Sequence, residues 1–292
     1  MTKTGTRNRI NAGAWLISPP AFFAVALLAV PLAAVVLISF WTQTGIRDFD
    51  TALTTANYRE ALSDPLYLQL MMRSVWVSAA VTLVTVVLAF PIAYYVSFHV
   101  SPRRKPLWIF LITIPFWTSY LIRVFLWKVI LGYSGVLNTG LQWLGIIDDP
   151  LTVILYNVNA VVITLAHAYA PFAILPIFVA LEKIDRPLLE AARDLGEGVV
   201  QTFRRVTLPL AMPGVIAASL IVFIPTVGDY ITPRLVGGPG GLMIANMIQT
   251  QFLRLNNAPM GAALAVQAMG IVAVLALVFV LVLRKLTRRL AQ

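Results

Sequence analysis

The stretch LNNAPMGAALAVQAMGIVAVLALVFVLVL, residues 255–283, has no charged side chain and lies between Arg254 and Arg284. The hydrocarbon core of a bilayer is about 30 Å thick, and a helix of roughly 20 apolar residues crosses it. This stretch is longer than that, and far longer than the strand of a membrane barrel. Because lipid leaves the backbone groups of irregular segments unpaired, the stretch predicts a transmembrane helix.

Five more windows of this kind precede it. Four lie between Arg9 and Arg47 (apolar from about 15 to 41), between Arg73 and Arg103, between Asp149 and Glu182, and between Arg205 and Asp229. The third in chain order starts after Lys105 and is uncharged as far as Arg123, and its apolar pattern continues to Leu131. Of the 292 residues, 59% are hydrophobic and only 12% are charged, and the mean hydropathy is +0.84. This composition is far from that of a soluble domain. The sequence therefore predicts an all-α, polytopic membrane protein with six transmembrane helices.

The domain organisation is predicted to be simple. No low-complexity linker and no repeat of about 20 to 50 residues is visible, so residues 1–292 are predicted to form one transmembrane domain. The first apolar window is longer than the core of a signal peptide and is interpreted as a retained helix. The GGPGG stretch at 237–241 predicts an irregular turn. Kinks or broken helices are predicted at Pro31, Pro91, Pro115, Pro171, Pro176 and Pro225.

Charge predicts the orientation in the membrane, because basic residues in short loops resist translocation. With both termini in the cytoplasm, most of the 22 Lys and Arg residues lie on that side, in segments 3–9, 103–105, 183–205 and 284–289. Those outside are Arg47, Arg59, Arg73, Arg234 and Arg254. The formal net charge of +10 therefore indicates segments that face anionic lipid headgroups, and does not indicate nucleic-acid binding.

The charged segment between the fourth and fifth windows, residues 183–209, is the strongest functional signal. Asp185 is placed to cap a short helix that Gly196 and Gly198 end. Residues 199–207 predict a second helix, which Pro209 is expected to stop before the fifth window. The prediction is a helix-turn-helix beneath the membrane. A solvated amphipathic loop without a partner is one alternative, and a DNA-reading unit is a weaker one, because lipid headgroups lie beside it.

The spacing in this segment resembles a family motif. Glu190-Ala191-Ala192 is followed after three residues by Gly196, after nine more by Val206, and after one more by Leu208-Pro209. This pattern resembles the EAA loop of permease subunits of binding-protein-dependent ABC importers, with Val206 where the family usually has Ile. The resemblance implies that the loop is a coupling helix docked in a groove of a nucleotide-binding subunit. The implied coupling residues are Glu190, Ala191, Ala192, Gly196, Leu208 and Pro209.

The resemblance also implies the fold and the partners. The implied fold is a type I permease bundle in the bacterial inner membrane. The implied partners are a second permease subunit that forms a heterodimer with this chain, a pair of ATP-binding subunits, and an extracytoplasmic solute-binding protein. The chain would then form half of a translocation pathway. Because it has no G-x-x-x-x-G-K-[ST] phosphate loop, ATP and Mg²⁺ would be used by the partner. The chain itself is predicted to be no enzyme and to hold no cofactor or metal, since His99 and His167 are far apart in the sequence.

A wider resemblance narrows the substrate. PFWTSYLIRVFLW at 115–127, PLLEAARDLG at 187–196 and LVGGPGGLMIANMIQTQF at 235–252 resemble segments of spermidine and putrescine permeases. Relatives commonly have an acidic and aromatic pair where this chain has Asn256-Asn257-Ala258-Pro259. The resemblance implies polyamine import. The alternatives are another small solute (an iron chelate, thiamine, sulfate or an opine) or, in a different class, an ion-coupled secondary transporter.

Asp229 is the candidate residue for the substrate pathway. It is the one acid that falls at membrane depth in the sequence, and an ionised side chain there costs about 2.5 to 3.5 kcal/mol unless it is paired or faces water. A polyamine needs anionic and aromatic surfaces to replace its hydration. The aromatic candidates are Tyr230, Trp117, Tyr120 and Trp76. The alternative is that Asp229 pairs with Arg123 or Arg234 and that the aromatic residues form an interfacial belt.

Overall fold

The computed structural model describes residues 5–45 and 48–290; Lys3 and Arg47, which the orientation argument counts, lie outside them. The elements up to residue 143 are α1 (Gly5–Ile38), β1 (Thr42–Gln43), β2 (Phe49–Asp50), α2 (Ala56–Ser63), α3 (Pro65–Phe98), α4 (Lys105–Thr113), a 3₁₀ turn (Ile114–Trp117), α5 (Tyr120–Leu131) and α6 (Val136–Trp143). The rest are a 3₁₀ turn (Thr152–Ile154), α7 (Val158–Glu182), α8 (Arg186–Asp194), α9 (Val199–Thr202), a π-helical turn (Phe203–Thr207), α10 (Leu208–Val227), α11 (Ile231–Val236), a 3₁₀ turn (Pro239–Gly241), α12 (Ile244–Leu253) and α13 (Ala258–Leu290).

Within the described residues, six helical stretches are long and apolar enough to cross a membrane, which confirms the predicted fold class. They are Ser18–Ile38, Pro65–Phe98, Tyr120–Trp143, Val158–Glu182, Val199–Val227 and Ala258–Leu283. The short strands β1 and β2 pair antiparallel and add a small hairpin to this helical chain. The GGPGG stretch forms the predicted turn, in which Gly238 has φ of +60°.

The third predicted window is two helices instead of one. Helix α4 passes into the 3₁₀ turn at Pro115, and the backbone is extended at Thr118 and Ser119 before α5 begins. Proline has no N–H to donate and its ring crowds the preceding turn, which accounts for the break. The predicted break at Pro115 is therefore confirmed. Helices α1, α3, α7 and α10 are not broken at the prolines that they contain.

The chain divides into two compact units, and the smaller comprises the described residues up to Ser63 together with Thr250–Gln267. Asparagine side chains form hydrogen bonds within this unit. The Asn57 side-chain amide donates to the carbonyl oxygens of Ser39 and Trp41, at 2.9 and 2.7 Å. Asn257 accepts from the Met260 N–H at 3.1 Å and so caps the start of α13.

The larger unit comprises Asp64–Gln249 and Ala268 onward, and contains the apolar core. Helices α3, α7 and α10 pack against one another in it. Gly214 of α10 marks the closest approach, because a Cβ there would lie 2.5 Å from the Cβ of Ala180 and 2.6 Å from the Pro176 carbonyl oxygen. Small residues allow such close helix packing where lipid offers no hydrophobic driving force. The segment 183–209 and Asp229 both belong to this unit.

Candidate functional site

Helix α8 begins and ends where the sequence predicts. Asp185 occupies the N-cap position with extended backbone, although its side chain makes no capping hydrogen bond. At the other end Gly196 has φ of +84°. The Gly196 N–H donates to the Arg193 carbonyl at 2.9 Å, and the Glu197 N–H donates to the Ala192 carbonyl at 3.1 Å. This pair of bonds is a Schellman motif, which requires the left-handed conformation that glycine adopts without strain.

The second half of the segment differs from the prediction at Pro209. Helix α9 continues through the π-helical turn directly into α10, so Pro209 does not stop a helix before the fifth span. In the π turn the Leu208 N–H donates to the carbonyl of Phe203, five residues back. A π turn is wider than an α turn. It accommodates the proline ring, which would crowd the preceding carbonyl of a regular α-helix.

The predicted coupling residues differ in exposure. Glu190, Ala191 and Gly196 are exposed to solvent. Ala192 is only 8% exposed and Pro209 is buried, so these two pack inside the larger unit. Leu208 is half-buried. Of these six residues, Glu190, Ala191 and Gly196 are therefore the ones available to a partner.

Three exposed apolar residues were missed by the sequence reasoning. Leu195 is 86% exposed, Val199 is 71% exposed and Val200 is 78% exposed. They flank the Gly196-Glu197-Gly198 break, and we call them the apolar triad. These exposed apolar groups in an otherwise charged segment are candidate contacts for a partner. The available signal was the position of these residues beside a glycine break, because apolar character alone predicts burial.

Ion pairs hold both ends of the segment. Glu182, the last residue of α7, accepts from Lys105 Nζ and from Ser97 Oγ, each at 2.6 Å. These contacts join the ends of α3 and α7 to the start of α4. Within the segment, Arg205 pairs with Glu197. The segment thus leaves the membrane helices from a fixed point and is closed on itself by one surface ion pair.

Asp229 lies in the connection between α10 and α11 and is 8% exposed. One carboxylate oxygen, Oδ2, accepts from Tyr120 OH at 2.6 Å. The other, Oδ1, accepts from the backbone N–H groups of Ile231 and Thr232, at 2.9 and 3.4 Å. Tyr120 OH also lies 2.6 Å from Thr232 Oγ1. The carboxylate therefore holds the start of α11 and joins it to α5.

The alternative ion-pair partners of Asp229 are engaged elsewhere. Arg123 donates to the Ala168 carbonyl at 3.4 Å, and its guanidinium carbon lies 5.9 Å from the centre of the Tyr120 ring. Arg234 donates to Gln249 at 3.2 Å. Neither residue forms an ion pair with Asp229. All hydrogen-bond donors to the Asp229 carboxylate in the described part of the chain are neutral.

The aromatic candidates divide into two groups. Tyr120 contacts Asp229 directly, and Tyr230 adjoins it in the chain with its side chain 41% exposed. The Tyr230 carbonyl accepts from the Asn246 side chain at 2.7 Å, which fixes the backbone beside the acid. Trp76 and Trp117 are 72% and 81% exposed. The structure thus brings Tyr120 to Asp229, keeps Tyr230 beside it through the chain, and leaves the two tryptophans on the surface of the chain.

Both histidines lie against aromatic rings. The His99 ring stacks on Tyr95 with the planes 5° apart, and His167 Nδ1 accepts from the indole N–H of Trp127 at 3.0 Å. Within the described residues, no three His, Asp or Glu side chains come together in a way that could hold a metal ion.

Comparisons with known proteins give the family. Residues 11–292 match the family described as "Binding-protein-dependent transport system inner membrane component". The chain is 37% identical over 255 residues to the spermidine/putrescine transport system permease protein PotB of Escherichia coli, covering 87% of this chain and 92% of that protein. It is 38% identical over 265 residues to PotB of Haemophilus influenzae, covering 91% and 89%.

Solved structures share the fold. A chain of a bacterial alginate ABC transporter, in complex with an alginate-bound periplasmic protein, matches with a TM-score of 0.70 at 18% identity, over 97% of this chain and 98% of that one. The MetNI methionine ABC transporter matches with a TM-score of 0.52 at 20% identity, over 78% and 100%. These matches confirm the predicted importer bundle. The chain belongs to the family of inner membrane components of binding-protein-dependent transport systems, and is a multi-pass permease of the ABC importer class.

Proposed function

We propose that this permease imports polyamines of the spermidine and putrescine type and forms half of the translocation pathway. The other half comes from a second, related permease subunit. Similarity to the PotB permeases, at 37% and 38% identity over most of both chains, supports the substrate class. The observation that carries the transport role is segment 183–209, which presents exposed apolar side chains between α7 and α10.

Segment 183–209 docks one subunit of the ATPase pair in this proposal. Glu190, Ala191 and the apolar triad form the contact surface, and Gly196 sets the angle between α8 and α9. The partner supplies ATP hydrolysis, and this chain has no enzymatic activity of its own. The complementary surface on the ATPase is an apolar cleft with a polar rim, because the apolar triad lies in a segment that carries charges of both signs.

The membrane orientation follows from that docking. Segment 183–209 and both termini lie in the cytoplasm, and the connection that contains the GGPGG turn lies on the outer side. An extracytoplasmic solute-binding protein delivers the substrate there. ATP binding closes the ATPase pair and draws the two coupling segments together. This can shift the permease only if the contacts at Glu190 to Gly196 differ in free energy between the inward and outward states.

Asp229 provides the cation site of the pathway, with Tyr120 and Tyr230 beside it. Its donors are one phenol hydroxyl and two backbone N–H groups, so the described residues give the carboxylate no ion-pair partner. A passing ammonium group can complete the charge balance of such a site. The exposed Trp76 and Trp117 contribute aromatic surface where this chain meets the second subunit, since cations bind aromatic faces.

The test is reconstitution of the complex. The permease is purified from native membranes with its associated subunits, placed in proteoliposomes, and given solute-loaded binding protein and ATP. Binding protein loaded with spermidine or putrescine is expected to stimulate ATP hydrolysis and uptake. Stimulation by a binding protein loaded with an iron chelate, thiamine, sulfate or an opine would overturn the substrate. Uptake driven by a proton gradient without ATP would overturn the ATPase coupling.

A further inference from the structure

Phe203 links the segment 183–209 to a transmembrane helix through its aromatic ring. It is the first residue of the π-helical turn. Its ring centre lies 5.6 Å from that of Phe90, with the planes 88° apart, and 6.2 Å from that of Tyr94, with the planes 75° apart. Both partners belong to α3. These are edge-to-face arrangements, which aromatic pairs favour over a face-to-face sandwich.

The partners of Phe203 belong to a row of rings on α3. Phe90, Tyr94 and Phe98 are spaced four residues apart and therefore share one face of the helix. Tyr94 contacts Phe98 with ring centres 4.9 Å apart. All three pack against the apolar core that α3 forms with α7 and α10. A displacement of Phe203 thus acts on a row of side chains that is anchored in the core.

The backbone around Phe203 is where the segment can bend. The Phe203 carbonyl is bonded across the wider π turn by the Leu208 N–H, and Pro209 has no N–H to give to the turn before it. Kinks concentrate at π turns and prolines. The chain can therefore pivot between α9 and α10. The ring contact joins the segment directly to α3, while Ile184 and Leu189 of the segment contact the core elsewhere.

Helix α8 is packed on this turn. Ala192 of α8, Thr202 of α9 and Thr207 of the π turn are 8%, 5% and 2% exposed, and α8 contacts both α9 and the turn. Close-packed elements transmit displacement instead of absorbing it. A force on the outer surface of α8 therefore reaches the residues around Phe203.

We propose that Phe203 is a positioning residue, which transmits displacement of segment 183–209 to α3 through its ring contacts with Phe90 and Tyr94. The inference rests on the proposed docking of an ATPase at this segment. It adds a specific route by which displacement of that surface reaches α3 in the membrane. The segment also continues directly into α10.

The test measures coupling separately from assembly. The complete transporter carrying Phe203→Ala is reconstituted, and both spermidine uptake and ATP hydrolysis are measured with loaded binding protein. Hydrolysis is expected to continue at a rate near that of the wild type, because the docking surface is intact. Uptake per ATP hydrolysed is expected to fall about tenfold, as for other residues that carry coupling free energy. Phe203→Tyr retains the ring and is expected to restore the ratio.

Phe178→Ala is the matched control, because Phe178 of α7 packs against the same core and has no recorded ring contact with Phe203, Phe90 or Tyr94. It is expected to lower thermal stability like Phe203→Ala and to leave uptake per ATP unchanged. If the transporter carrying Phe203→Ala does not assemble, uptake per ATP hydrolysed is measured with Phe203→Leu instead. An unchanged ratio in the assembled Phe203 variant overturns the inference. Failure of loaded binding protein to stimulate the wild type would instead overturn the proposed function.

Discussion

The segment 183–209 exposes apolar side chains, whereas the surroundings of Asp229 bury a polar one. The segment leaves Leu195, Val199 and Val200 in solvent, where a soluble surface would have polar residues. Asp229 is buried, although carboxylates are mostly found on surfaces, and is held by neutral donors alone. We propose that each departure from the usual rule is completed from outside the chain, by apolar burial for the segment and by a positive charge for the acid.

The largest predicted effect tests the geometry of the segment. Gly196→Pro cannot adopt φ of +84° and removes the N–H that donates to Arg193. A proline in such a position costs about 3 kcal/mol or more, so we expect uptake to fall about a hundredfold while the protein still inserts. Uptake of polyamine by reconstituted transporter is the measurement.

Gly198→Pro is the control for that change. Gly198 has φ of −68°, which matches the angle that proline requires, and only its N–H bond to the Gln201 side chain is lost. We expect uptake within about threefold of the wild type, as a lost hydrogen bond of about 1 kcal/mol implies. Equal loss in both variants would show that the left-handed turn at Gly196 is not the feature that matters.

The next effect tests the apolar triad. Leu195→Glu places a charge at a position that is 86% exposed, so the fold of the isolated chain should not change. If Leu195 is buried by the ATPase, binding should weaken by about 2 kcal/mol, or about thirtyfold. Copurification of the ATPase subunits measures this. Leu53→Glu, at a residue that is 71% exposed outside the segment, is the control and should retain the subunits.

A smaller effect is predicted for the charge of Asp229. Asn at this position still accepts from the N–H groups of Ile231 and Thr232, so α11 keeps its start while the charge is lost. We expect Asp229→Asn to lower polyamine uptake about tenfold, the loss of about 1.4 kcal/mol, with ATP hydrolysis still stimulated. Tyr120→Phe removes a neutral donor and keeps the charge, and should reduce uptake less. Normal uptake by Asp229→Asn would leave the acid with only its role in holding α11.

Much of the fold could be predicted because membrane insertion depends on length and hydropathy, which are read directly from the sequence. The break in the third window follows from Pro115, but its position relative to α5 needs the extended backbone at Thr118 and Ser119. The sequence could not predict that α9 continues into α10 through the π turn. Proline usually ends a helix, and the π turn that admits Pro209 has no sequence signature.

The candidate site was predictable only in part. Motif spacing identifies Glu190, Ala191 and Gly196, and local glycine chemistry predicts the end of α8. Exposure is a property of the packed chain: Ala192 is buried and Leu195 is exposed, although both lie in the same charged segment. Likewise, the hydrogen bond of Asp229 with Tyr120 joins residues that are 109 positions apart. No local pattern indicates such a contact.

The smallest predicted effect compares the two ion pairs that border the segment. Lys105 and Glu182 have side chains that are 15% and 35% exposed, whereas Arg205 in the other pair is 67% exposed. Exposed pairs contribute about 0.2 to 1 kcal/mol, and the more buried pair should lie at the upper end. We expect Lys105→Met to lower the melting temperature of the purified complex by about 2 to 4 °C. Arg205→Met should leave it nearly unchanged, and an equal shift in both would mean that burial does not separate the two pairs.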